Sequence, residues 1–300
     1  LTETTTDIAS LTLRIVSILS PIVLIVLAGF WYGRKHNPEM SVANRLNMDI
    51  FVPALILGAM ASKGFEPARY LGLASAAAIL LLICGGLAWL LMRGKDIDWR
   101  VFVPPMMFNN SANIGIPLAV LAWGEQALPA AIVLYSVSNV LHFSVGLRML
   151  DEHATLMTLW RNPTLMAAAA GLAISLLELP IWTPVVQALQ MLGNVAVPLL
   201  LFALGVRLKH VEFNDLKIPL LSAFIRPALG MLLAWTLAAL LGLGSQDTAM
   251  LIVFGALPPA VMNFLFAERY GRDPHRVATI VLIGNLASII VLPIALAWVL

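Results

Sequence analysis

Between Pro104 and Gly124 the chain reads PPMMFNNSANIGIPLAVLAWG, apolar at both ends and polar in the middle. Asn109, Asn110, Ser111 and Asn113 offer neutral amide and hydroxyl groups, which can hydrogen-bond a ligand. In hydrocarbon an unpaired polar group costs several kcal/mol, so irregular polar backbone persists only against protein or a water-filled cavity. Gly115 and Pro117 oppose an unbroken helix, because proline lacks the donor and clashes with the preceding turn. The pattern predicts two half-helices whose broken middle lines a binding site near the membrane midplane. The alternative is a kinked helix whose amides hold neighbouring helices together.

A second stretch has the same character. GALPPAVMNFLFAERYG, residues 255–271, is interrupted by Pro258 and Pro259 and carries Asn263. Crossing half-helices would bring their partly positive N-termini together, a site for an anion that needs no lysine or arginine. Asn110, Ser111, Asn113, Gly115, Pro258, Pro259 and Asn263 are therefore the candidate substrate-binding residues. Asn139 and Asn285 join them as related positions in two later apolar runs. Asp49 is a carboxylate within a predicted span, hence a candidate for proton coupling. Its other reading is a residue at the vestibule edge beside Arg45. Arg226 is the one basic residue deep in a span, so it either attracts an anion or holds carbonyls freed by Pro227.

The elements that must position these groups follow from composition. Of 300 residues 60% are hydrophobic and 11% charged, against about 25% charged in a soluble domain, and mean hydropathy is +0.92. This is an all-α integral membrane protein. At about 20 apolar residues per span, ten stretches qualify: 12–33, 42–62, 69–92, 101–123, 126–148, 162–179, 184–206, 217–242, 247–268 and 275–299. Their short connections leave one membrane domain over 1–300. The polar start, LTETTTDIAS, runs into an apolar segment too long for a cleavable signal.

Lysines and arginines divide 14 to 3 between the two sets of loops, with Arg226 left inside a span. The positive-inside rule then puts both termini outside the cytoplasm. Val52-Pro53 recurs as Val197-Pro198, Asp49 as Asn194, Asn139 as Asn285, and AWG at Gly124 as RYG at Gly271, at offsets of 145, 145, 146 and 147. The halves, about 12–150 and 160–300, hold five spans each, so the second copy must be inverted. Inverted repeats with an interrupted helix apiece are the layout of a secondary transporter.

Catalytic and cofactor chemistry find no support. Cys84 is the one cysteine, which excludes an intramolecular disulfide. HExxH, CxxC, GxSxG and Walker patterns do not occur, no nucleic-acid surface is evident, and no cofactor is implied. Gly29 and Gly33 form a small-xxx-small pair, read as a helix contact or a dimer seam.

NNSANIGIPLAVLAWG, with ALPPAVMNFLFAERYG, DPHRVATIVLIGNLASIIVLP, RNPTLMAAAAGLAISLLELP and NVAVPLLLFALGVRL, resembles the auxin efflux carrier family, which includes plant PIN proteins and bacterial permeases. The resemblance covers almost the whole chain. It implies ten spans in two inverted five-helix repeats, crossovers in spans four and nine, a homodimer, and elevator-like transport of small organic anions across a bacterial cytoplasmic membrane. Cation-coupled uptake, and a channel or sensor, are the alternatives. Plant members carry proline where this chain has Asn109, so the first crossover is expected to be less sharply broken, or bent toward Pro117.

Overall fold

The computed structural model describes residues 2–61, 65–94, 97–151, 161–207 and 216–300, with side chains from residue 9 onward. Lys63, Lys95 and Lys209, used in the charge count, lie outside the described residues. The described chain is helical, with one isolated bridge in place of any sheet. In order the helices are α1 (Thr2–His36), α2 (Ser41–Met60), α3 (Leu71–Met92), α4 (Trp99–Met107), α5 (Ser111–Trp123), α6 (Glu125–Leu150), α7 (Pro163–Leu176), α8 (Thr183–Arg207), α9 (Lys217–Leu240), α10 (Ser245–Ala256), α11 (Met262–Arg269) and α12 (Pro274–Val299).

Seven of these elements are long and apolar enough to cross a membrane: α1, α2, α3 with its leading turn, α6, α8, α9 and α12. The other three predicted stretches differ. Residues 101–123 and 247–268 are each two half-helices, α4 with α5 and α10 with α11. The sixth stretch contributes α7, a helix of 14 residues, shorter than the ~20 that span hydrocarbon unaided.

The two breaks have different causes. After α10, Leu257 precedes Pro258 and takes ψ 143, the extended conformation that a following proline imposes. That break is local. After α4, Phe108 is extended (ψ 125) with no proline following, and tertiary partners hold the chain open. Phe108–Asn110 runs antiparallel to Pro258–Ala260: the Asn110 N–H donates to the Pro258 carbonyl at 2.7 Å, and the Ala260 N–H to Phe108 at 3.0 Å. Asn109 faces Pro259 across this two-bond ladder, at the position whose own N–H the ladder does not use. Asparagine therefore serves where a proline would also fit. Its amide adds a 2.8 Å bond to the Phe254 carbonyl. The break falls at Phe108–Asn110 and is complete, which corrects the expectation of a blunted break or a bend displaced toward Pro117.

Packing divides the helices into two groups. α1 lies against α8, and α2 against α7 and α8; α3, α4, α6, α9, α10 and α12 pack mainly among themselves. The α1–α8 crossing depends on glycine. A Cβ at Gly29 would collide with the Phe202 backbone, and one at Gly205 with the Val26 carbonyl. The small-xxx-small pair is thus an internal helix contact. Between the groups, α1 touches α12, and α6 touches α2 and α7; α5 packs on both sides, against α1, α8 and α6.

Candidate functional site

A cavity of about 500 Å³ lies between the groups, within the ~300–1,000 Å³ range of small-molecule sites. Its floor is the double crossover, through Asn109–Asn113 of one strand and Ala260–Met262 of the other. α2, α6, α7 and α8 supply the walls.

Two half-helices begin at this floor. In the first turn of α5, the N–H groups of Ser111, Ala112 and Asn113 make no backbone bond among the described residues. In α11 the same holds for Val261 and Met262. Neither helix has a side-chain cap. Both sets of residues line the cavity, so two partly positive helix ends converge on it.

The asparagines divide by what they bond. Asn110 donates to the Asn285 side-chain oxygen at 2.8 Å. Asn285 donates in turn to Pro259 (3.0 Å) and Val281 (2.7 Å) carbonyls. Asn263 donates to Phe108 (3.2 Å) and Ala260 (3.0 Å) carbonyls. These three amides tie the strands of the crossover together. Asn113, Asn139 and Ser111 line the cavity, and their side chains have no hydrogen-bond partner among the described residues. Of the sequence candidates, the cavity therefore gathers Asn110, Ser111, Asn113, Asn139 and Asp49. Pro258, Pro259, Asn263 and Asn285 stand behind the floor. Gly115 lies against Leu257 of the other strand, where a Cβ would come within 2.8 Å of its side chain.

Arg226 is also outside the cavity. Buried at 4% exposure, it donates to the carbonyl of Leu257, the residue that ends α10. A cation there satisfies an orphan carbonyl and opposes the negative end of that half-helix. His142 is stacked on Phe108 at 4.1 Å and edge-on to Phe266 at 5.0 Å, an aromatic wall between floor and mouth. Its Nε2 is buried without a partner.

Two features of the site escaped sequence reasoning. Three wide π turns, Asn47–Phe51, Ser111–Gly115 and His142–Gly146, all contribute to the lining. Such turns often mark functional sites. The first two precede Pro53 and Pro117, whose rings clash with the carbonyl four residues earlier, so these prolines were the available signal. The second feature is a basic mouth. Arg161, Arg207 and Arg269 line the cavity at the ends of α7, α8 and α11, against one carboxylate among the described residues, Asp49, which is exposed. Among the described residues none of the three arginines forms an ion pair.

Comparison with known proteins gives two findings. Residues 152–296 match the family described as membrane transport protein. Over 200 residues the chain is 27% identical to a protein of Rhizobium meliloti (strain 1021) named "Putative malonate transporter", an alignment covering 61% of this chain and 61% of that protein.

Proposed function

We propose that this chain is a secondary transporter of small organic anions, a reading supported by the match of residues 152–296 to the membrane transport protein family, that of auxin efflux carrier-like permeases. The observation that carries this reading is the cavity itself: two half-helix N-termini at its floor, with the amides of Asn113 and Asn139 unpartnered and the three arginines at its mouth unpaired among the described residues. Such a site neutralises a carboxylate at the floor with hydrogen bonds and helix ends and attracts it electrostatically from outside. The relative's name, a malonate transporter, favours short dicarboxylates as the first substrates to try.

In this reading the chain forms ten spans in two inverted repeats, and the elevator-like motion slides the α3, α4, α6, α9, α10 and α12 group along the α1, α2, α7 and α8 group. The division of packing supports it, as does the position of the cavity between the groups. The second group is the natural scaffold for a homodimer. The protein resides in a bacterial cytoplasmic membrane with both termini outside, works as an exporter, and has its cavity open to the basic, cytoplasmic side. For sidedness, an impermeant thiol reagent added to intact cells is expected to label Gln126→Cys and to spare Asp273→Cys, both exposed. Labelling of Asp273→Cys would reverse the orientation.

The direct test of ligand class is thermal stabilisation of purified protein by a panel of malonate, longer dicarboxylates, acetate and indole acids. A ligand at 100 times its Kd raises stability by about 2.7 kcal/mol. Malonate is expected to raise the melting temperature and neutral amides of equal size to leave it unchanged; equal effects would remove anion recognition.

Arg207, half-buried at the end of α8, gives a prediction of its own. Leu200, Ala203, Leu204 and Arg207 all line the cavity, and seven residues of helix span about 10 Å. Arg207 thus guides the anion in rather than binding it together with the floor. Arg207→Gln should raise KM several-fold at low ionic strength and much less at high salt, where a Debye length is about 3 Å at 1 M. A salt-independent defect would show that its role is not steering.

A proton-coupled variant of this reading has one observation in its favour: Asp49 is the carboxylate that lines the cavity among the described residues. Asp49→Asn is expected to abolish accumulation driven by a pH gradient while leaving substrate exchange intact. Equal pH dependence in variant and parent would show that Asp49 does not couple.

A further inference from the structure

A second, larger cavity follows the flank where α1 meets α12. It measures about 1320 Å³, above the ~300–1,000 Å³ of small-molecule sites, and its lining is mainly aliphatic, with Thr12, Ser20, Asn285, Ser288 and Arg34 as the polar members. Ile114 of the α5 π turn and Leu204 of α8 lie at its inner side. Val16, Val23, Leu27 and Ile289 line it and are exposed, so it opens sideways. In a membrane that side is hydrocarbon. Along α1 the lining runs from Thr12 to Arg34, 22 residues or about 33 Å, matching a hydrocarbon core of about 30 Å. Arg34 closes one end, with Lys35 and His36 beside it in the last turn.

An aliphatic groove of membrane length with cations at one end fits one ligand chemistry, long acyl chains joined to an anionic headgroup. We propose that the half of this groove next to Arg34, one leaflet or about 15 Å deep, holds a resident anionic phospholipid, its tails between α1 and α12 and its phosphate on Arg34. A second copy of the chain is the rival occupant. A self-complementary contact would bring the same surface to both sides, and among the described residues no aspartate or glutamate lines the groove to meet Arg34. The small-residue face of α1 is already used against α8. The site needs only the membrane setting and stands whatever solute is transported. Because Ile114 belongs to the crossover turn, the tails would reach the back of the substrate floor, between the two helix groups.

The test uses full-length protein in phosphatidylcholine vesicles containing phosphatidylglycerol with a photoactivatable diazirine in one tail. After irradiation, label should concentrate on the groove residues of α1 and α12 over the equally exposed face of α9 at Leu232 and Trp235. Val23→Trp, which fills the groove, should lower groove labelling several-fold. Arg34→Gln, an exposed change that leaves the core intact, should lower labelling by the phosphatidylglycerol probe and spare that by a phosphatidylcholine probe of the same tail. Even labelling of α1 and α9, labelling indifferent to both variants, or disulfide-linked dimers through Val23→Cys would each overturn the proposal.

Discussion

Replacing Asn113 by alanine is expected to weaken anion binding about ten- to a hundred-fold while leaving the folded protein nearly as stable as the parent. The side chain lines the cavity and has no partner among the described residues, so its removal strands no neighbour. What is lost is one hydrogen bond to a charged ligand, about 1.5–3 kcal/mol, at about 1.4 kcal/mol per tenfold in affinity. Asn113→Leu should bind more weakly still, because the larger apolar side chain also occupies the space. Malonate affinity and melting temperature, measured on the same detergent-purified samples, separate the outcomes. Near-normal affinity in a destabilised protein would remove Asn113 from the site.

Asn285→Leu should behave in the opposite way. Its side chain accepts from Asn110 and donates to the Pro259 and Val281 carbonyls, all within a buried crossover. Leucine leaves the Asn110 amide and the Pro259 carbonyl without those bonds. A buried polar group left unsatisfied costs about 1–3 kcal/mol, so together they remove a large share of a folding free energy of about 5–15 kcal/mol. The expected result is a sharp fall in folded yield and melting temperature, with whatever protein survives binding malonate less well through a displaced floor. A stable Asn285→Leu protein with lowered affinity alone would instead make Asn285 a ligand contact.

The contrast between these asparagines explains what the sequence could and could not disclose. Both interrupted helices were legible, and Pro258–Pro259 fixes the second break by local sterics. The first break had no such signal, since Asn109 and Asn110 are held by residues far along the chain: the Asn110–Asn285 bond closes a separation of 175 residues and the Asn109–Phe254 bond one of 145. Residue type alone could not tell a tying amide from a free one, so Asn110, Asn113, Asn263 and Asn285 all stood as substrate-binding candidates. The mouth was hidden differently. Arg161, Arg207 and Arg269 were visible as basic loop residues, but only the convergence of α7, α8 and α11 on one cavity makes them a group. The α7 stretch was read as a full span because apolar composition continues past Leu176, where the helix itself ends.

The hydrogen bonds of the crossover explain why the cavity floor tolerates so much irregular backbone. The ladder between Phe108–Asn110 and Pro258–Ala260, with the Asn263 and Arg226 bonds to carbonyls, satisfies the unwound segments internally. Among the described residues the N–H groups left over are those at the two helix ends and that of Asn109, and all of these residues line the cavity. In a membrane such donors are tolerated only beside water or a ligand, which is the physical reason for placing the anion there.

The central claim, saturable carriage of an organic anion through this cavity, is tested most directly by counterflow. Purified protein is reconstituted into vesicles preloaded with unlabelled malonate, and uptake of labelled malonate is followed beside empty vesicles. Carriage through the cavity should give transient accumulation in the preloaded vesicles, saturating with concentration, and its loss in Asn113→Leu at equal protein incorporation. Uptake that is the same in loaded and empty vesicles, rises linearly with concentration, and is unchanged in Asn113→Leu would contradict it.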